Sequence, residues 1–449
     1  MRKKRKSTGG RAVIICLIAL LAVDIVLAVK LIGQRSAGGN LSENEGIFGG
    51  GGTSGNGEET KGNDDDKKDL PSAGGENSEG SEGPSSAGDS DHNRVEELLA
   101  GMSLEQKVAQ MFMVTPEALT NYTKVTAAGE VTKQRFMQYP VGGVIYMAGN
   151  LVDAEQTREM LKNMENYSME FLGFPIFLGV DEEGGTVARI AKNSAFNVEN
   201  VGDMSEIGAS GDSDLAYLAG CTIGAYLTDL GFNLDFAPVA DVWSNKKNTV
   251  VKYRSFGSDA ELVRDMVTAQ LRGFSEQEIL GAVKHFPGHG STTADSHKGA
   301  AVVEKNLQEL LECDLIPFKG AIEEGVPFVM VGHLSLPQIV GEDVPAVLSK
   351  EIIVGILREE LGFDGIVITD ALDMGAITDY YNSAQAAVMA VEAGADMLLM
   401  PEDFVEAYGG VLDAVQRGEL SVERIDESVR RILRVKVGMT IQKEKDRKK

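Results

Sequence analysis

The chain has 449 residues, 43% of them hydrophobic, and a formal net charge of −25. Such an acidic excess argues against nucleic acid as a partner, because phosphate binding needs a basic surface. The three cysteines, Cys16, Cys221 and Cys313, show no C-x-x-C spacing, which excludes a disulfide framework and a cysteine metal knuckle.

The chain opens on Arg2, Lys3, Lys4, Arg5, Lys6 and Arg11, followed by an apolar run over 12–29 that only Asp24 interrupts. Basic residues ahead of an apolar run stay cytoplasmic, so the chain beyond the run is expected outside the cell. At roughly 18 residues the run is just long enough to span a bilayer. Its length, with Lys30 directly after it, favours an uncleaved signal anchor; a cleaved signal peptide ending near Leu27-Ala28-Val29 is the rival. Residues 1–35 are therefore expected to be a basic cytoplasmic tip and a single membrane-spanning helix, with the rest at the cell surface. Residues 36–91 are Gly, Ser, Asn, Asp and Glu with almost no large apolar side chain. They cannot bury enough surface to offset chain entropy and are expected to be a disordered acidic linker.

From 92 to 441 the texture becomes regular. Eight short apolar runs read as strands: Met111–Val114, Gly142–Met147, Ile176–Val180, Leu234–Val239, Gly281–Lys284, Phe328–Val331, Gly365–Thr369 and Met397–Met400. Stretches of helical period lie between most of them, such as Ala154–Tyr167, Asp214–Leu230, Ala260–Gln277 and Leu307–Glu324. Eight βα units in one domain predict an α/β fold, a (β/α)8 TIM-type barrel. A doubly wound open sheet is the alternative, but no G-x-G-x-x-G follows the first run. Residues 442–449 read as a charged tail.

A barrel of this kind carries its chemistry at the C-terminal ends of its strands. Just past successive runs stand Asp181, then Asp241 with Arg254 in the following loop, then Lys284-His285 leading on to Asp295 and His297, then His333, then Asp370. Polar groups after five consecutive strands converge on one face. Asp370, directly behind Ile366-Val367-Ile368-Thr369, is a candidate nucleophile on a rigid support, or else a helix N-cap. Asp373 fits the helical or capping role better. His297 is a candidate proton shuttle, with Asp295 two residues before it able to orient the ring, or else a solvated loop residue. The Gly/Ser/Thr content of 288–293 reads as a loop able to close over substrate. Lys284 is open to three readings: Schiff-base amine, substrate donor or ion-pair partner. Histidines 285, 289, 297 and 333 raise a metal site, although no H-x-H or H-E-x-x-H spacing occurs.

These segments resemble glycoside hydrolase family 3 β-N-acetylhexosaminidases of the single-barrel kind. The likeness is carried by VDEEGGTVARI (180–190), DFAPVADV (235–242), YRSFG (253–257), KHFPGHG (284–290) with DSH (295–297), and ITDALDM (368–374). The resemblance implies a retaining, exo-acting glycosidase that removes terminal N-acetylglucosamine from cell-wall-derived or related glycans. It implies Asp370 as the nucleophile, and His297 as general acid and base with Asp295 as its partner. Asp181, Arg254, Lys284 and His285 would hold the sugar. Arg189 would be structural or substrate-binding, and His333 would lie at the site floor. No metal or organic cofactor and no protein partner is implied. Some members transfer the sugar to phosphate instead of water.

The chain departs from the family pattern where Glu182 stands for the more usual Gln, where Thr186 stands for a frequent Arg, and over 243–253. These departures put the substrate in question more than the reaction. The rival readings are a family 3 β-glucosidase or β-xylosidase, a metal-dependent barrel hydrolase, and a non-catalytic glycan-binding module; the last would have lost Asp370 or His297, and both are present.

Overall fold

The computed structural model describes residues 87–292 and 301–446. The chain divides into two units, 1–80 and 81–449, and all described residues belong to the second. The expected anchor helix within 1–35 and most of the 36–91 linker lie outside the described residues, as do Asp295 and His297. Among the described residues, no helix is long and apolar enough to cross a membrane.

All eight apolar runs form strands: Phe112–Val114 (β1), Gly143–Ile145 (β2), Phe177–Val180 (β3), Leu234–Asp235 (β4), Leu280–Phe286 (β5), Phe328–Val331 (β6), Ile366–Thr369 (β7) and Leu398–Leu399 (β8). Each pairs in parallel with its neighbour in sequence from β1 to β7, and β8 pairs with β1. A parallel bridge between Ile368 and Met397 joins β7 to β8, with Thr369 N donating to Met397 O at 3.0 Å. The sheet is thus closed, as the barrel reading requires, and the open doubly wound alternative falls.

At least one helix follows each strand, the principal ones being Glu130–Gln138 (α1), Ala154–Phe171 (α2), Ser213–Leu230 (α3), Ala260–Glu276 (α4), Ile316–Glu323 (α5), Glu351–Glu360 (α6, wound as a π-helix), Ser383–Ala393 (α7) and Phe404–Gln416 (α8). Side-chain caps set several starts. Asp153, Asp259, Asn382 and Asp403 each accept from the backbone N–H three residues on, which satisfies a donor that the first turn leaves free. The continuous helix expected over Leu307–Glu324 is broken. A π-turn at Leu310–Asp314 separates Leu307–Glu309 from α5, and Leu315 N reaches back five residues to Leu310 O at 2.9 Å. Pro317 has no N–H to return to Cys313, so the α-helical ladder cannot run through unbroken.

Side chains fill the barrel. Phe177 and Phe328 meet edge to face with ring centres 5.1 Å apart. A Cβ on Gly179 would lie 2.5 Å from Met113 Cε and 3.0 Å from Phe236, so β3 carries no side chain there. Near the N-terminal ends of the strands sits Lys436, fully buried, its Nζ donating to Gln110 Oε1 (2.8 Å) and Gly142 O (2.9 Å) beside Phe174 and Phe177. Lys436 comes from a final helix, Val422–Asp446, which also pairs Arg430 with Glu96 (2.6 Å) and Asp426 with Lys107 (2.7 Å). That helix overruns the boundary expected at 441, because Gln, Lys and Glu are good helix formers and no Gly or Pro follows Gly438. At the other end, helix Ala87–Gly101 begins inside the segment expected to be linker and buries Val95 and Leu99 in the core.

Candidate active site

At the C-terminal end of β3 the chain makes a tight hairpin, Glu182–Gly184 against Val187–Ala188. Gly184 and Gly185 sit at φ +92° and +50°, and a Cβ on Gly185 would fall 2.0 Å from Asp203 Oδ1. Only glycine suits that turn. It folds the chain back so that Arg189 Nη2 reaches Asp181 Oδ2 at 3.4 Å. Glu182 fastens the returning strand. Its Oε2 accepts from Arg189 N (2.6 Å) and Ile190 N (2.9 Å), and its Oε1 from Ala191 N (2.8 Å) and the Tyr226 hydroxyl (2.9 Å). Both oxygens act as acceptors, which a carboxylate provides and a carboxamide does not. Burial pushes the Glu182 carboxyl up, against these donors that favour its ionised form. Burial, reinforced by the Glu182 charge, also holds the neighbouring Asp235 well above the usual carboxylate range.

Beside this hairpin lies a buried charge cluster. Lys284, on β5, places Nζ 2.9 Å from Asp181 Oδ1 and 2.6 Å from Glu183 Oε1. Arg254 grips Glu183 with two bonds, Nε to Oε2 and Nη2 to Oε1, both 2.7 Å. Burial opposes charge on Glu183, Arg254 and Lys284, but the attraction of their oppositely charged neighbours outweighs it. Glu183 is held far below its ordinary value by Arg254 and Lys284, and Lys284 is raised by Asp181 and Glu183. Lys284 is therefore an ammonium, which removes the Schiff-base reading: that chemistry needs the free amine.

The next residue, His285, extends the network. Its Nδ1 lies 2.8 Å from Asp241 Oδ2 and its Nε2 lies 3.3 Å from Arg254 Nη2. A guanidinium can only donate, so Nε2 accepts and Nδ1–H donates to Asp241. Asp241 Oδ1 in turn accepts from His289 N at 2.6 Å. Burial alone would raise Asp241, but His285 and His289 hold it low, while burial pushes His289 down.

Asp370 follows β7 directly and is half-buried. Its amide donates to Val331 O (2.8 Å), and its Oδ1 accepts from Ala371 N (2.8 Å). It caps no helix: the next helical turn begins behind Met374, and α7 takes Asn382 as its cap. Burial would raise the carboxyl, but His333, His285, the Ala371 amide and Lys284 hold it below its ordinary value. His333, behind β6, is buried and places Nε2 2.7 Å from Ala371 O, on the segment that carries Asp370. The face thus presents an ionised carboxylate, a second carboxylate at Asp181, and the cations Arg254 and Lys284. That set can bind hydroxyl groups and offer an anion to an electrophilic carbon.

Of the residues singled out from sequence, Asp181, Arg189, Arg254, Lys284 and His285 are joined in one network. His333 and Asp370 form a second group, joined through the Ala371 segment. Asp295 and His297 fall outside the described residues. Glu183 and Asp241 stand among the strand-end polar groups in the sequence without an individual role, and in the structure they organise the cluster. Glu183 lies two residues past Asp181, a spacing that returns an extended side chain to the same face; that is the signal the sequence holds.

Residues 103–435 match the glycosyl hydrolase family 3 N terminal domain. The chain is similar to "Beta-hexosaminidase A" of Pseudoalteromonas piscicida, 34% identical over 324 residues, covering 67% of this chain and 54% of that protein. It is also similar to the "Beta-N-acetylglucosaminidase/beta-glucosidase" of Cellulomonas fimi, 29% identical over 354 residues, covering 77% and 59%. The chain thus spans little more than half the length of these two relatives. Among solved structures, the glycoside hydrolase family 3 beta-N-acetylglucosaminidase from Paenibacillus sp. str. FPU-7 superposes with a TM-score of 0.70 at 38% identity, covering 76% of this chain and 64% of that one. By the extent of the domain match and the shared barrel, the chain belongs to glycosyl hydrolase family 3.

Proposed function

We propose that this chain is a retaining, exo-acting β-N-acetylglucosaminidase that hydrolyses terminal N-acetylglucosamine from cell-wall-derived or related glycans. The observation that carries the reading is Asp370. It is a carboxylate kept ionised at the mouth of a family 3 barrel, beside a cluster of donors and acceptors suited to sugar hydroxyls. The relatives whose names state hexosaminidase or N-acetylglucosaminidase activity support the choice of sugar.

In this reading an Asp370 oxygen attacks the anomeric carbon as the bond to the leaving oxygen breaks, and His297 gives that oxygen a proton. Water then attacks the same carbon, His297 takes its proton, and the bond to Asp370 breaks. Two inversions give net retention. Asp295 sets the tautomer of His297. Arg254 and Lys284 donate to sugar hydroxyls, Asp181 accepts from them, and His285, held by Asp241, shapes the same wall. Arg189 keeps Asp181 in place. Outside a cell, hydrolysis is favoured over transfer to phosphate. The N-terminal apolar run would hold the domain at the membrane on a tether that ends where the Ala87–Gly101 helix begins; membrane fractionation of tagged full-length chain tests that part.

The enzymatic test is turnover of an aryl N-acetyl-β-glucosaminide by the full chain, set beside the matching aryl β-glucoside and the Asp370→Asn variant. Turnover of the N-acetylglucosaminide that Asp370→Asn abolishes is expected. Turnover of the glucoside alone would move the reading to a β-glucosidase, and no turnover of either would refute it.

A further inference from the structure

The break in the helix ahead of α5 lies directly behind the turn that carries His285 and His289. The π-turn Leu310–Asp314 ends on Asp314, whose side chain is fully buried. One residue more in a turn rotates the side chains on its two sides by about 100° against each other. The turn therefore aims Asp314 differently from a continuous helix. Its Oδ2 accepts from Lys305 Nζ, while Oδ1 is buried and accepts no hydrogen bond among the described residues. Burial pushes this carboxyl up, against the pull of Lys305.

Asp314 stands where three segments of the site's wall meet. The first is the turn after β5. A Cβ on Gly288 would fall 2.7 Å from Asp314 Cβ and 3.3 Å from its Oδ1, so this side chain packs against the backbone of the turn. Gly288 N donates to His285 O at 2.8 Å, and the turn grips both oxygens of Asp241: His285 Nδ1 lies 2.8 Å from Oδ2, and His289 N 2.6 Å from Oδ1. The second segment carries Lys305. Its strand Ala301–Val302 pairs in parallel with Leu334–Ser335, directly behind His333, and Val303 N donates to Ser335 O at 2.8 Å. The third is α5 itself, whose Phe318 meets Phe286 at the end of β5 edge to face, with ring centres 5.3 Å apart.

We propose that Asp314, held by Lys305, is a positioning residue for sugar binding: it backs the turn 285–289 so that Asp241 and His285 stay in register with Arg254. It acts through the turn and not on the substrate. Arg254 Nη2 lies 3.3 Å from His285 Nε2, so a displaced turn reaches a group that donates to the sugar. The ion pair keeps Asp314 in place from one side. Its carboxylate is 0% exposed and the Lys305 side chain 22%, so loss of charge on either residue leaves the other without its partner in a largely dry place. An arginine at 305 keeps the cation. This inference rests on the glycosidase reading above.

The test is steady-state turnover of an aryl N-acetyl-β-glucosaminide by the full chain and by Asp314→Asn, Lys305→Met, Lys305→Arg and the double variant Asp314→Asn/Lys305→Met. Far-ultraviolet circular dichroism selects the variants that fold. A misplacement of about 1 Å can cost about a hundredfold, so a shift of roughly half that size gives about tenfold. Contacts remote from the anomeric carbon are made alike in the ground and transition states, so the loss should appear in KM, with kcat within about twofold. Asp314→Asn and Lys305→Met should each raise KM about tenfold, and the double variant no further, because the pair acts as one unit. Lys305→Arg should stay within about twofold of the intact chain, since the charge is kept. Should a single variant fail to fold, the double variant, which leaves no buried charge unpaired, carries the comparison. An unchanged KM in the folded variants, a loss confined to kcat, or effects that add in the double variant overturn the positioning role alone. No turnover by the intact chain overturns the glycosidase reading, and this inference with it.

Discussion

Replacing Glu183 by Gln probes the charge cluster at its centre. The Glu183 side chain is 2% exposed and holds three short contacts, two from Arg254 at 2.7 Å and one from Lys284 at 2.6 Å. A carboxamide keeps one acceptor oxygen and turns an NH2 toward a cation. Removing one partner from a buried ion pair costs ~3–5 kcal/mol. Lys284 retains Asp181 at 2.9 Å, so the low end applies, and the expected loss is ~3 kcal/mol at neutral pH. The folded pKa of Glu183 lies below its unfolded value. Its contribution is therefore complete above about pH 4.3 and declines as pH falls from there toward the folded pKa. Urea unfolding of both proteins at pH 7, 5, 4 and 3.5 reads this directly. Trp243, the single tryptophan, reports on the site, and far-ultraviolet circular dichroism reports on the barrel. The gap between the proteins should be about 3 kcal/mol at pH 7 and narrow below pH ~4.3. A gap under about 0.5 kcal/mol at pH 7, the size of an ordinary surface change, would refute the reasoning. So would a gap that pH leaves unchanged.

Four further outcomes are expected. Asp370→Asn should lower kcat by about 10⁴-fold or more, as loss of a nucleophile does, with the urea midpoint nearly unmoved. Because Asp370 is held below its ordinary value, the acid limb of kcat/KM should fall below pH ~3.9, activity being lost as pH drops through the lowered pKa; a limb near pH 6 would contradict its environment. Arg254→Lys keeps the charge but cannot reproduce the two parallel 2.7 Å bonds, so kcat/KM should fall roughly tenfold to a hundredfold in steady-state assays. Gly185→Ala, at φ +50° with Asp203 Oδ1 2.0 Å from the new Cβ, should cost about 1–3 kcal/mol in urea unfolding and raise KM by shifting Arg189.

The barrel was legible because its strands are short apolar runs, bounded by turn residues and separated by helical periods. Burial on both faces writes that pattern directly into sequence. The break at 310–314 was not legible, because Leu307–Glu324 keeps a helical period and Pro317 alone signals the slip. In the site, Asp181, Arg254, Lys284, His285 and Asp370 could be found because each stands at a strand end or in the loop just after one. The division of labour among them could not. Lys284 read equally well as an amine or an ion, and the choice depended on two carboxylates, one from 103 residues away in sequence. The partnership of Asp241 with His285, and the Tyr226 hydroxyl on Glu182, likewise arise from contacts between residues 44 apart in sequence.

The central claim is that Asp370 forms the covalent link to the sugar. It is tested most directly with a fluorinated N-acetylglucosaminide whose glycosyl-enzyme hydrolyses slowly. Intact mass after incubation, followed by peptide mapping, locates the label. The account predicts one added sugar per chain, on the peptide containing Asp370, and none on Asp370→Asn. Turnover of N-acetylglucosaminides with the label on another carboxylate, or with inversion at the anomeric carbon, would contradict it.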